Sequence, residues 1–111
     1  MSTSKAITKF IRISPRKARL AAGLIRGLPI AQAKHQLMVC EMKAGRLLGR
    51  TLDSAIANGE TLHNMRREKM FVQEVRVDAG PVFKRSKPKN KGGSHPIMKR
   101  TSHFTVIVGE E

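Results

Sequence analysis

Apolar residues follow two rhythms along this chain, one of period two and one near 3.6, and the switches between them mark its elements. Residues 6–13 (AITKFIRI) alternate as a strand, with Ile7, Ile11 and Ile13 on one side and Thr8 and Arg12 on the other. Ser14 and Pro15 then start a helix: the Ser14 hydroxyl is expected to accept from an early backbone N–H, and proline in the first turn forfeits no hydrogen bond. The helix runs to about Arg26 and stops at Gly27, a residue suited to the left-handed cap conformation. One face holds Ala18, Ala21, Ala22 and Ile25; the opposite side holds Arg16, Arg19 and Arg26. Pro29 opens a shorter helix through about Val39. A third helix, from about Glu41 to Asn58, aligns Ala44, Leu48, Leu52, Ala55 and Ile56, with Lys43, Arg46 and Arg50 on the reverse. A polar loop over 58–66 leads into FVQEVRVD, a half-buried strand with Phe71, Val75 and Val77 on one side and Glu74, Arg76 and Asp78 on the other. HFTVIV (103–108) forms a last strand rich in β-branched residues.

Charge then decides what kind of partner these elements serve. The 22 Lys and Arg against 8 Asp and Glu give a net +14. Self-repulsion opposes compaction of so basic a chain, and a polyanion relieves it while releasing counterions, so nucleic acid is the expected partner. Bases gather toward the ends: residues 1–40 hold 8 and no acid, and residues 79–111 hold 7 against 2, whereas 41–78 is nearly balanced with 7 and 6. A membrane-lying helix would set large apolar side chains opposite its bases, but this chain has 4 Phe and no Trp or Tyr. No apolar run approaches the roughly 18 residues of a span, and the start lacks the pattern of a signal peptide. The acid-poor first 40 residues resemble a transit peptide in composition, yet strand and helix patterns begin almost at once, so they are read as fold in a soluble, intracellular protein. The lone Cys40 excludes an intrachain disulfide and reads as a small buried hydrophobe.

Between the last two strands lies GPVFKRSKPKNKGGSHPIMKRTS, with 7 bases and no acid, which cannot build a core of its own. If the flanking strands pair antiparallel and continue outward to a tip at Gly92 and Gly93, the resulting hairpin projects on the order of 30 Å. An isolated basic hairpin is marginal in water, so phosphates are expected to hold it extended by neutralising Lys84, Arg85, Lys87, Lys89, Lys91, Lys99 and Arg100, while Pro88 and Pro96 limit its freedom. Phe10, Phe71 and Phe104 fall in strand patterns as core, leaving Phe83 as the base-stacking candidate. Recognition is therefore expected through backbone and shape, with Arg12, Arg16, Lys17, Arg19 and Arg26 near helix one and Lys43, Arg46 and Arg50 on helix three as further nucleic-acid contacts.

Other chemistries find little footing. His35, His63, His95 and His103 are scattered, with no second cysteine, so no metal is expected. Asp53 and Ser54 have no base near them; Asp53 is expected to pair with Arg50 or cap locally, and no catalytic residue or cofactor site is assigned. The rival reading is an architectural DNA-binding protein, since helix one, the Pro29 turn and helix two mimic a helix-turn-helix. Helix two, however, lacks a set of Asn, Gln or Arg on one face for reading base edges, and no dimer seam is evident.

Four separated stretches, ISPRKARLAAGLIRG, LDSAIANGE, VRVDAGPVFKRSKPKNKGG and KRTSHFTVIV, resemble the L twenty-two family of bacterial large-subunit ribosomal proteins in order and spacing over nearly the whole chain. The resemblance implies an α+β fold, three helices on a three-stranded antiparallel sheet, forming a single domain (1–111) with a globular body (1–80 and 101–111) and a protruding β-hairpin (81–100). It implies a non-enzymatic constituent of the cytoplasmic ribosome, bound to large-subunit ribosomal RNA and neighbouring ribosomal proteins, without self-association. By position, Arg16, Lys17, Arg19, Lys84, Arg85, Lys99 and Arg100 would touch RNA. The hairpin would follow the wall of the polypeptide exit tunnel, with Pro88, Lys89, Asn90, Lys91, Gly92, Gly93, Ser94 and His95 as a tip facing the nascent chain. Here the chain departs from many members, carrying Gly93 where an arginine is often found.

Overall fold

The structure, a computed structural model, describes residues 3–88 and 94–110, with side chains described for 3–84 and 98–110. Its elements are β1 (Thr3–Ile11), α1 (Pro15–Ile25), α2 (Ile30–Val39), α3 (Lys43–Leu62), a 3-10 turn (Arg67–Lys69), β2 (Met70–Ala79), β3 (Phe83–Pro88), β4 (Ser94–Lys99) and β5 (Ser102–Glu110). β5 is central in an antiparallel sheet of order β1-β5-β2, and β3 and β4 form a separate antiparallel pair. The expected α+β architecture is thus observed.

Helices cover one face of the sheet. Ala18, Ala21, Ala22 and Ile25 of α1 are buried, as are Ala44, Leu48, Leu52, Ala55 and Ile56 of α3, matching the two expected stripes. They enclose one core with Val72, Val75, Val77, Phe104, Val106 and Val108. Polar groups entering it are satisfied: Ser4 Oγ donates to the Ala55 carbonyl at 3.0 Å, and Ser102 Oγ to that of Ile13 at 2.7 Å.

Both outer strands contain an irregularity that reverses side-chain parity. In β1 the register shifts between Thr8 and Ile11, so Ser4, Ala6 and Ile11 are buried while Ile7 lies on the open face, half exposed. In β2 a shift between Val72 and Glu74 sends Val72, Val75 and Val77 inward and leaves Phe71 only partly buried. A bulge inserts one unpaired residue and so overrides strict alternation, which corrects the facing expected for Ile7 and Phe71, while Phe10, expected in the core, is exposed.

Three further expectations change. α3 continues through Leu62, and Gly59 within it is a packing residue: a Cβ there would lie 3.0 Å from Met70 Cε and 3.1 Å from Met65 Sδ. Asp53 pairs with Lys34 of α2 at 3.2 Å instead of Arg50, tying α2 to α3. Ser14 precedes α1 in an extended conformation, but its hydroxyl makes no cap bond; Gly27 does adopt the left-handed φ of 78°.

The β2 edge is closed from the α1 side. Arg19 donates from Nη2 to the Val77 carbonyl at 3.1 Å, and Arg26 from Nη2 to that of Val75 at 2.9 Å. Beyond them, Gly27 N–H donates to Val72 O and Val72 N–H to Leu28 O, at 2.9 and 2.8 Å. An unpaired edge is a template for association, and these groups occupy it. Replacing Arg19 and Arg26 together by alanine is expected to cost about 1 kcal/mol for each charge-assisted bond removed. It should also promote aggregation; urea midpoints and light scattering read the two effects separately.

Candidate nucleic-acid interface

The loop after β1, the starts of α1 and α3, and the end of β4 converge on one cleft of about 590 Å3. Arg12, Lys17, Lys43, Lys99 and Arg100 line it, with Ile13, Leu20, Met42 and Met98 as its apolar surface and no carboxylate among its lining residues. Its walls come from positions more than 80 residues apart in sequence, which only the sheet brings together. Lys43 Nζ donates to the Arg12 carbonyl at 3.1 Å, fixing the α3 start against the loop. Lys43 also borders a shallower hollow of about 240 Å3 with Arg46, Leu47 and Arg50, so positive charge continues from the cleft along α3.

Two helix starts reinforce this field. α1 begins after Ser14 and α3 after Met42, neither with a side-chain cap nor with an acid in its first turn. Backbone N–H groups of a first turn, together with the helix dipole, attract anions. An anionic chain laid across the cleft therefore meets side-chain cations and two positive helix ends, while Leu20, Met42 and Met98 offer apolar contact to sugars or bases.

The residues singled out in the sequence divide into four groups. Arg12, Lys17, Lys43, Lys99 and Arg100 share the cleft, and Arg46 and Arg50 extend it. Arg19 and Arg26 are instead engaged with β2, through contacts a helical wheel cannot reveal, and Arg16 is exposed at the start of α1. Lys84 is exposed on β3, and Arg85, Lys87, Pro88, Ser94 and His95 lie along the β3–β4 pair, whose register runs from Phe83 opposite Lys99 to Pro88 opposite Ser94. Lys89, Asn90, Lys91, Gly92 and Gly93, the centre of the expected tip, lie outside the described residues.

The joint between body and hairpin is closely packed. Gly80 N–H donates to Thr101 O at 2.9 Å, and Thr101 Oγ1 donates to Pro81 O at 2.7 Å. A Cβ on Gly80 would come within 2.5 Å of Thr101 Oγ1, so only glycine fits without displacement. Among the described residues no group of three or more His, Cys, Asp or Glu is placed to hold a metal, and no helix is long and apolar enough to cross a membrane. Cys40 ends α2 half-buried, beside Gly45, where the sequence suggested full burial.

Sequence reasoning missed Phe10. It is 59% exposed, not core, and its ring meets that of His103 edge to face at 5.1 Å. Its φ of 59° belongs to the bulge, and no composition signal announces that conformation at a phenylalanine.

The profile of the family described as Ribosomal protein L22p/L17e matches residues 6–109. A protein of Protochlamydia amoebophila named large ribosomal subunit protein uL22 is 70% identical over 108 residues, covering 97% of both chains. Proteins of the same name from Chlamydia abortus and Chlamydia pneumoniae are 60% and 59% identical over 107 residues, covering 96% of each chain.

Proposed function

Because this chain belongs to the Ribosomal protein L22p/L17e family, we propose that its five-cation cleft and the basic face of α3 dock it on large-subunit ribosomal RNA. The protein is a structural, non-enzymatic constituent of the large subunit of a bacterial-type ribosome in the cytoplasm. The observation that supports the docking surface best is the convergence of Arg12, Lys17, Lys43, Lys99 and Arg100 without a carboxylate among them. Lysines act there as point charges on phosphates, and arginines fork onto phosphate oxygens or lie against bases.

The same reading extends to the β3–β4 hairpin, which carries Lys84, Arg85 and Lys87 on one arm and ends at Lys99, next to Arg100, by the cleft. Principal extents of 62 × 26 × 16 Å are consistent with an arm that reaches between RNA segments. We assign it to the wall of the polypeptide exit tunnel, with Pro88–His95 toward the nascent chain. Threaded between RNA segments, it ties them together during assembly. The protein acts as a single copy beside neighbouring ribosomal proteins, without DNA.

Sedimentation of tagged protein from a lysate, before and after a high-salt wash and with the co-migrating RNA identified, tests this directly. Co-migration with the large subunit through moderate salt is expected. For the free protein and RNA, about six phosphate contacts predict an affinity loss on the order of a thousandfold between 50 and 200 mM salt. A flat salt profile, or migration with DNA, would overturn the reading.

A further inference from the structure

Resting on the RNA-docking reading, we propose that the Phe10 ring, braced edge to face by His103, forms a stacking platform for one unstacked nucleobase of the bound RNA. Three observations converge on this exposed corner of the sheet. The β1 bulge turns the Phe10 side chain away from the core, leaving it 59% exposed at a φ of 59°, a conformation disfavoured for any residue with a Cβ. The distortion is held in place: Phe10 N–H leaves the β ladder and donates to His103 Nδ1 at 3.1 Å, while the two rings meet at an interplanar angle of 88°. His103 itself is backed by the hairpin joint, since a Cβ on Gly80 would lie 3.1 Å from its Cε1.

The location selects the occupant. Lys9 adjoins Phe10 and is exposed, and Arg12, two residues on, lines the basic cleft. Two residues of extended chain span about 7 Å, so a phosphate at Arg12 and a base on Phe10 can belong to the same or adjacent nucleotides. Asp78 lies opposite His103 in the β2–β5 register, on the side of His103 away from β1. An aromatic face beside cations fits a nucleobase and its phosphate, and base–aromatic stacking tolerates any base identity.

The chain contains no Trp or Tyr, so Phe10→Trp places a single reporter at the site. Titration of the full-length variant with transcribed large-subunit ribosomal RNA is expected to quench its emission strongly. Linear polyphosphate, which presents charge without bases, should bind and leave the emission unquenched. In parallel, Phe10→Gly relieves the positive φ; its urea midpoint should hold, while affinity for the same RNA falls roughly tenfold. A structural ring would give the reverse, a lowered midpoint with affinity retained, and would overturn the proposal. Retention of the Trp variant with RNA on filters, with emission unchanged, discards the platform and leaves the docking surface standing. Absence of RNA retention by the wild-type chain removes the docking reading itself. An emission change seen only in assembled subunits, and never with RNA alone, assigns the corner to a neighbouring protein and also overturns the proposal.

Discussion

Phe104→Ala is expected to destabilise the protein by about 3–5 kcal/mol, a large share of the roughly 5–15 kcal/mol that holds a domain folded. Phe104 is completely buried on β5, with Thr8 of β1 and Val77 of β2 as its partners on either side. Truncation removes apolar surface where two strand pairs and the helical layer meet, so collapse around the void is restricted. Urea denaturation followed by far-ultraviolet circular dichroism measures the loss; a change below about 1 kcal/mol would mean that the core relaxes around this position far more easily than close packing implies.

The second large effect concerns binding. Replacing Arg12, Lys17 and Lys43 together by glutamine is expected to make the slope of log affinity against log salt shallower by nearly three, or about 0.9 for each phosphate no longer neutralised. Near 0.1 M salt this corresponds to a weakening of several hundredfold, on the order of 500. The Arg12 side chain can be removed without touching the carbonyl that accepts from Lys43, and circular dichroism checks the bond that Lys43→Gln alters. Lys34→Gln, at the ion pair with Asp53, is the control and should leave the slope unchanged. An unchanged slope in the triple variant would remove the cleft from the interface.

Much of this fold was legible because the helical stripes are long and unambiguous. Ala18, Ala21, Ala22 and Ile25, and later Ala44 through Ile56, repeat on one face over several turns, and no tertiary contact overrides them. The strands were legible as strands but not in their facing. At Phe10 and near Gln73 the extra residue of a bulge is an ordinary L-residue, and alternation read across it assigns Ile7 and Phe71 to the wrong side. Residues 58–66 read as a polar loop, whereas α3 runs on to Leu62 and the missing side chain of Gly59 admits Met65 and Met70. The basic residues themselves were readable from composition. Their meeting point was not, because the cleft joins the first strand's exit to the hairpin's return, and because Arg19 and Arg26 serve β2.

The strand order β1-β5-β2 sets a condition on how this molecule comes into being. Its middle strand follows every other element in the chain, and β1 and β2, which never touch through their own ladders, acquire a common neighbour only through it. Helix pairs made of near-sequence contacts can assemble early, but the sheet must wait for residues 102–110 to emerge, and such distant pairings are the slow step of folding. During synthesis the helices thus precede the surface they are built to cover, and their apolar faces stay open for that interval, when aggregation competes with folding. The sheet is complete only once that last strand has cleared the ribosome that makes it.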